Sequence, residues 1–190
     1  MAEDADRLPP GQYLTQDWPI LHYGDIPRVD MGTYRFKVWG LVEQPLDLGW
    51  TDLQALPQVS TACDIHCVTA WSRYDNDFEG VALQELIRRC QPKPEARFVM
   101  FWAAGGWNTN VPLRDVDRPE NVLAFKWAGE PLTRGHGFPA RVVIPHLYFW
   151  KSAKWCIGME FMAADKPGFW ERNGYHMRGD PWAEERYSDD

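Results

Sequence analysis

Cys63-Asp64-Ile65-His66-Cys67-Val68-Thr69-Ala70-Trp71-Ser72 brings two thiols and an imidazole within five residues. Thiolate and imidazole are the usual ligands of zinc. The spacing argues against it: C-x-x-x-C with His between is not a common finger pattern, and no second Cys/His pair follows at finger spacing. The ordinary fate of such thiols is burial as small, inert apolar groups. A packed segment and a chemically employed one both remain open on these ten residues.

Outward from this stretch the pattern is one of short elements. Val81–Cys90 spaces Val81, Leu83, Leu86, Ile87 and Cys90 as one buried face and predicts a helix. On the other side, Thr33–Gly40 alternates Tyr34, Phe36 and Val38 against Arg35 and Lys37, the period of a half-buried strand. Thr51 is placed as an N-cap for a short helix, TDLQAL, which Pro57 stops. Arg97–Ala103, Asn121–Trp127, Ala140–Ile144 and Trp155–Met162 are apolar runs rich in β-branched or aromatic residues and predict strands. Strands outnumber helices and the connections are long and irregular, so the fold class is α+β, with mixed sheets and short helices.

No internal repeat or linker divides residues 1–190, and about 100–200 residues is the usual span of one domain. Residues 1–32, rich in Pro, Gly and Asp, are read as an irregular wrap around the core, and 163–190 as an irregular C-terminal segment. Eleven Trp, seven Tyr and nine Phe require a core or a cleft to hold them. A formal charge of −7 argues against a nonspecific nucleic-acid binder. No window approaches the ~18 apolar residues needed to span a bilayer, and MAEDADRLPPGQ lacks a basic region followed by an apolar one. The chain therefore reads as soluble and cytoplasmic, with Cys63, Cys67, Cys90 and Cys156 as free thiols.

Charge is uneven within this acidic chain. From Pro131 to Met159 there is no Asp or Glu, yet Arg134, His136, Arg141, His146, Lys151 and Lys154 all fall there. Such a window is either a basic face offset by acids elsewhere or an anion site. His136-Gly137-Phe138-Pro139-Ala140-Arg141 and Ser152-Ala153-Lys154 favour the second. Rigid turns aim a guanidinium fork, an ammonium and a hydroxyl together, which is the donor set a phosphate takes.

Taken together, CVTAWS at Cys67–Ser72, Gly80-Val81, HGFPAR at His136–Arg141 and SAKW at Ser152–Trp155 resemble the molybdopterin-binding domain of the sulfite oxidase family. Order and spacing match over most of the chain, from about Trp18 to Tyr175. The resemblance implies a molybdenum–molybdopterin cofactor whose metal takes the Cys67 thiolate, with Cys63 as a neighbour; soft thiolate suits such a metal. It implies cofactor binding by His136, Arg141, Ser152 and Lys154, the residues that charge patterning singles out, and also by His22 and Tyr23 in Trp18–Tyr23. Counting on from HGxPxR, it gives Tyr175 the place of a catalytic tyrosine beside the metal, where a phenol donates to a substrate oxygen.

The departures concern substrate. Sulfite oxidases follow the metal Cys with Arg residues that hold sulfite, whereas Val68-Thr69-Ala70-Trp71-Ser72 precede Arg73 here. Ala103 stands where some relatives use Thr for the cofactor. The likeness is to the short bacterial members, including the methionine-sulfoxide-reducing type, without the dimerisation and haem domains, and a monomer is expected. The expected activity is oxygen-atom transfer on a small oxyanion or sulfoxide-type substrate, with a separate electron-transfer partner, because no haem or iron–sulfur cysteine set is present. A sulfite dehydrogenase proper and a non-enzymatic phosphate-ligand or zinc-binding module are the rival expectations.

Overall fold

The computed structural model describes residues 7–189. In chain order the strands are β1 (Tyr13–Leu14), β2 (Arg35–Gly40), β3 (Leu46–Gly49), β4 (Gln58–His66), β5 (Trp71–Ala82), β6 (Phe98–Ala103), β7 (Asn108–Pro112), β8 (Val122–Trp127), β9 (Glu130–Pro131), β10 (Arg141–Val143) and β11 (Cys156–Met162). The helices are α1 (Trp50–Ala55), α2 (Leu83–Cys90), α3 (Leu113–Val116) and α4 (Phe169–Arg172), with single 3₁₀ turns at Arg134–His136 and Phe149–Lys151. None is long and apolar enough to cross a membrane.

Two mixed sheets carry the domain, as the α+β reading requires. One runs β3-β2-β11-β6-β7, with β2 and β11 parallel and the other pairs antiparallel. The other is built around the long β5, which pairs β4 along one edge and β1 and β8 along the other; β8 continues to β10 and β9. Alternation in β2 buries Phe36 and Val38 and exposes Arg35 and Lys37, and these apolar faces join Phe101, Phe161, Leu123 and Val142 in the larger core. A smaller cluster of Ile65, Cys67, Val68, Trp71, Phe78, Tyr148 and Phe149 lies under the Cys67 segment.

Several sequence expectations are corrected here. The stretch beginning at Val81 is strand through Ala82, and the helix starts at Leu83: Val81 pairs Leu123 in the sheet, and its burial comes from that pairing. Ile87 is only partly buried, packed at the margin of the core. α1 begins one turn position before Thr51, with Gly49 at its N-cap and the Asp52 carboxylate accepting from Gly49 N–H at 2.8 Å. The wrap 1–32, of which 1–6 lie outside the described residues, contains β1, and 163–190 contains α4.

Two glycines are required by close approach. A Cβ at Gly80 would collide with Leu123 O, so glycine permits the irregularity where β5 crosses onto β8. Gly137 sits at φ +114, and a Cβ there would meet Arg141 Cβ at 3.0 Å and Lys154 Cα at 3.2 Å. A bulkier residue would push apart the two cations that the next section brings together.

Candidate active site

β4 and β5 form a long antiparallel hairpin, and Cys67–Ala70 is its loop: Cys67 N–H donates to Trp71 O at 2.8 Å and Ala70 N–H to Cys67 O at 3.0 Å. Ala70 completes the turn at φ +74. Cys67 is thereby carried at the rim of a cavity of about 320 Å³. Every residue proposed from sequence lines that cavity: His22, Tyr23, Cys67, His136, Arg141, Ser152, Lys154 and Tyr175. Cys63 does not; it is packed against the smaller core cluster, where burial pushes its thiol up to about 12.

Part of the cavity's lining is cationic. Arg141, 2% exposed, donates from Nη1 to His136 O and from Nη2 to Ser152 O, each at 3.0 Å, with its guanidinium 4.1 Å above the Phe149 ring. Lys154 Nζ donates to Leu21 O at 2.6 Å and Gly135 O at 3.2 Å. Ser152 Oγ accepts from Ile144 N–H at 2.9 Å, which leaves its own hydrogen to donate. Partners of both cations are backbone carbonyls, with no carboxylate beside them among the described residues. Burial lowers Arg141 to about 9, and burial with the charge of Arg141 lowers Lys154 to about 7.

His136 stacks on Trp18, ring centroids 3.9 Å apart, and its Nε2 lies 3.1 Å from Trp18 O. A carbonyl only accepts, so Nε2 carries the hydrogen and Nδ1, 3.0 Å from Thr133 Oγ1, accepts from that hydroxyl. Burial, with Arg141 and Lys154 nearby, lowers the pKa of His136 and keeps the ring neutral. Its role in the structure is to hold Trp18 over the cavity.

The remaining wall is aromatic. Tyr175 meets Trp150 and Trp170 at ring-centroid distances of 5.2 and 5.0 Å, and Trp170 continues to Trp107 at 5.9 Å. Tyr23 is 66% exposed at the outer edge, 6.1 Å from Trp107. His22 is fastened to its own turn, Nδ1 to Gly24 O at 2.8 Å. Burial first, then Tyr187 and Cys67, raises the pKa of Tyr175, so its hydroxyl remains a donor. Burial also raises the thiol pKa of Cys67, opposed by Thr69, whose Oγ1 lies 3.1 Å from Sγ, and by Arg186.

Not all of the acid-free window belongs here. Lys151 is fully buried against Glu171 at 2.6 Å, His146 lies 3.5 Å from Asp115, and Arg134 reaches Ile26 O at 3.4 Å. Conversely, sequence reasoning missed Thr69, Trp107, Asn108 and Thr109. Thr69 lay in plain view two residues past Cys67, and a hydroxyl at that spacing is a signal for thiolate stabilisation. Asn108 and Thr109 carry no such signal; they reach the cavity only because β7 flanks β6.

A thiol and a set of hydrogen-bond donors suited to an anion thus line one cavity. Residues 23–170 match the family model "Oxidoreductase molybdopterin binding domain". The chain is 48% identical to the uncharacterized oxidoreductase YuiH of Bacillus subtilis, over 98% of this chain and 95% of that protein. It is 27% identical to a putative protein-methionine-sulfoxide reductase subunit, YedZ1 of Azospira oryzae, over 90% of this chain and 66% of that one. Its fold matches the sulfane dehydrogenase SoxCD of Paracoccus pantotrophus with a TM-score of 0.70 and 24% identity, over 80% of this chain and 43% of that chain. The protein belongs to the molybdopterin-binding oxidoreductase family, of the sulfite-oxidase-like type.

Proposed function

We propose that this domain binds a molybdenum–pterin cofactor, with Cys67 as the metal's protein ligand, and transfers an oxygen atom to or from a small oxyanion or sulfoxide-type substrate. The observation that carries the reading is the convergence of one thiol and an uncompensated pair of cations on a single cavity. The residues present fit the group. Arg141 and Lys154 are largely desolvated with only carbonyls as partners, a costly arrangement that a bound phosphate relieves. The Trp71 ring lines the cavity, yet its buried indole N–H has no partner among the described residues, so an acceptor is wanted there.

When bound, the cofactor supplies a two-electron redox centre that gives or accepts an oxygen atom. The protein supplies binding, orientation and a proton donor. Arg141, Lys154 and Ser152 would hold the pterin phosphate, His136 would keep Trp18 in place beside it, and His22 and Tyr23 would lie at its outer end. Tyr175, kept protonated, donates a hydrogen bond to the substrate oxygen at the Cys67 side. Trp71, Trp107, Trp150 and Trp170 exclude water and present no cation to a compact anion, which favours a sulfoxide-type substrate over sulfite. The likeness to a subunit of a putative methionine-sulfoxide reductase supports the same choice. In this reading electrons are exchanged with a separate carrier.

Metal analysis tests this directly. Protein from molybdenum-replete cells should hold about one molybdenum per chain, and Cys67→Ser should hold less than about a tenth of that while remaining folded. Stoichiometric zinc without molybdenum would establish the zinc-module alternative. That alternative finds no support in the geometry: His66 Nδ1 is engaged by Ser72 Oγ at 2.8 Å, and no three His, Cys, Asp or Glu among the described residues group as metal ligands. Rapid reduction of the metal centre by sulfite would replace the sulfoxide preference with sulfite oxidation.

A further inference from the structure

The Cys67 loop is short, yet its backbone is gripped from outside on both flanks. Gln12 Nε2 donates to Cys67 O at 3.1 Å, and Tyr13 N–H donates to Ala70 O at 2.8 Å. From the far end of the chain, Arg186 Nη1 donates to Val68 O at 2.8 Å. The same guanidinium donates from Nη2 to Pro10 O at 3.2 Å and lies 5.0 Å over the buried Tyr148 ring. Gly11, at φ +68, makes room for it: a Cβ there would come within 2.9 Å of Arg186 Nη2.

Arg186 is itself fixed to the other proposed catalytic residue. Residues 174–188 fold back on themselves: His176 N–H donates to Arg186 O at 3.2 Å and Ser188 N–H to Gly174 O at 3.0 Å. Tyr175 and Tyr187 face each other in a lone antiparallel bridge, with ring centroids 5.7 Å apart. One residue therefore touches the Cys67 loop through its side chain and stands next to the neighbour of Tyr175 through its backbone.

We propose that Arg186 is a positioning residue, clamping the Cys67–Ala70 loop to the 174–188 return so that Cys67 and Tyr175 keep one fixed relation across the cavity. The proposal rests on Cys67 as the metal ligand. Its physical basis is that a guanidinium has donors in a rigid fork, and this one spans two carbonyls, Val68 O and Pro10 O, that belong to separate segments. An ammonium at that position has the charge without the fork. Groups that orient a metal ligand from outside its coordination shell typically change metal affinity or activity 10–100-fold when removed.

The test uses the full-length, cofactor-loaded protein with Arg186→Met and Arg186→Lys. Backbone hydrogen exchange should quicken about tenfold or more at the Cys67 and Ala70 amides and in 174–178 for Arg186→Met, while β6 and β11 exchange as in the parent. Molybdenum should leave on dialysis about tenfold faster, and the electron paramagnetic resonance spectrum of the half-reduced metal should shift. Arg186→Lys should fall between the two and carries the test if the methionine variant does not fold. Unchanged exchange in the loop, or a uniform quickening across the whole molecule with unchanged resonance, would overturn the proposal. The two readings separate cleanly. Cys67→Ser retaining molybdenum sinks the ligand assignment; Cys67→Ser losing it while both Arg186 variants keep it sinks the clamp alone.

Discussion

Lys151 and Lys154 stand three residues apart and live opposite chemical lives. Lys151 is wholly buried and satisfied: Glu171 Oε1 at 2.6 Å, Asn110 O at 2.9 Å, Asn110 Oδ1 at 3.1 Å and Met177 O at 2.6 Å all accept from it. Glu171 Oε1 in turn accepts from Thr109 Oγ1 at 2.9 Å and Trp150 Nε1 at 3.0 Å, so this ion pair is the buttress behind the aromatic wall. Lys154, like Arg141, has backbone carbonyls and aromatic rings around it but no carboxylate among the described residues, and it opens on the cavity. An internal counter-charge makes a cation structural; its lack leaves the cation for a ligand.

The sharpest way to break this contrast is to remove one charge at a time. Lys151→Met strands the Glu171 carboxylate in the interior and should cost about 3–5 kcal/mol in urea unfolding, with much of it recovered in Lys151→Met/Glu171→Leu. Arg141→Met removes a cation that has no partner charge among the described residues, so the cofactor-free protein should stay within about 2 kcal/mol of the parent, the loss being hydrogen bonds to the carbonyls of His136, Ser152 and, more weakly, Val142. Its cofactor content, read from pterin released on denaturation, should drop at least about tenfold. Equal destabilisation by the two variants would erase the distinction.

Tyr175→Phe sharpens the contrast from the chemical side. It keeps the ring contacts with Trp150 and Trp170 and removes one donor, so kcat in sulfoxide reduction should fall about 10–100-fold with molybdenum content unchanged. A further effect is a pH dependence. The pKa of Lys154 in the folded, cofactor-free protein is about 7, below its ordinary 10.5. Between these values the unfolded chain binds the extra proton, so folding stability rises with pH across this window. The penalty is fully present below about 7. Lys154→Met should flatten that slope, and bound cofactor should do the same by raising the lysine's pKa, both measurable by thermal melts at stepped pH.

The elements that were legible in sequence are those whose neighbours are apolar. β2, β6, β8 and β11 announce themselves because burial on one or both faces demands alternating or continuous hydrophobic residues. β7, Asn108-Thr109-Asn110-Val111-Pro112, is equally buried and was not seen. Its polar side chains find partners from remote segments: Thr109 in Glu171, and Asn110 in Asp165. The β4–β5 hairpin was missed for a related reason. Gln58–Ser60 face solvent, and the Asp75–Asp77 stretch is polar, so neither carries a hydrophobic period.

The sequence by itself determined the α+β class, and through its resemblance to a family it set apart Cys67 among four thiols and the group His136, Arg141, Ser152, Lys154 and Tyr175, all of which line one cavity. The class follows from local chemistry: side-chain type, turn residues and spacing travel with the chain. Which of the window's cations line the cavity without a counter-charge was decided only by tertiary structure. Glu171 and Asp115 come from outside the window to Lys151 and His146, and among the described residues no acid comes to Arg141 or Lys154. Charge compensation depends on distance in space, and separation along the chain sets no limit on it.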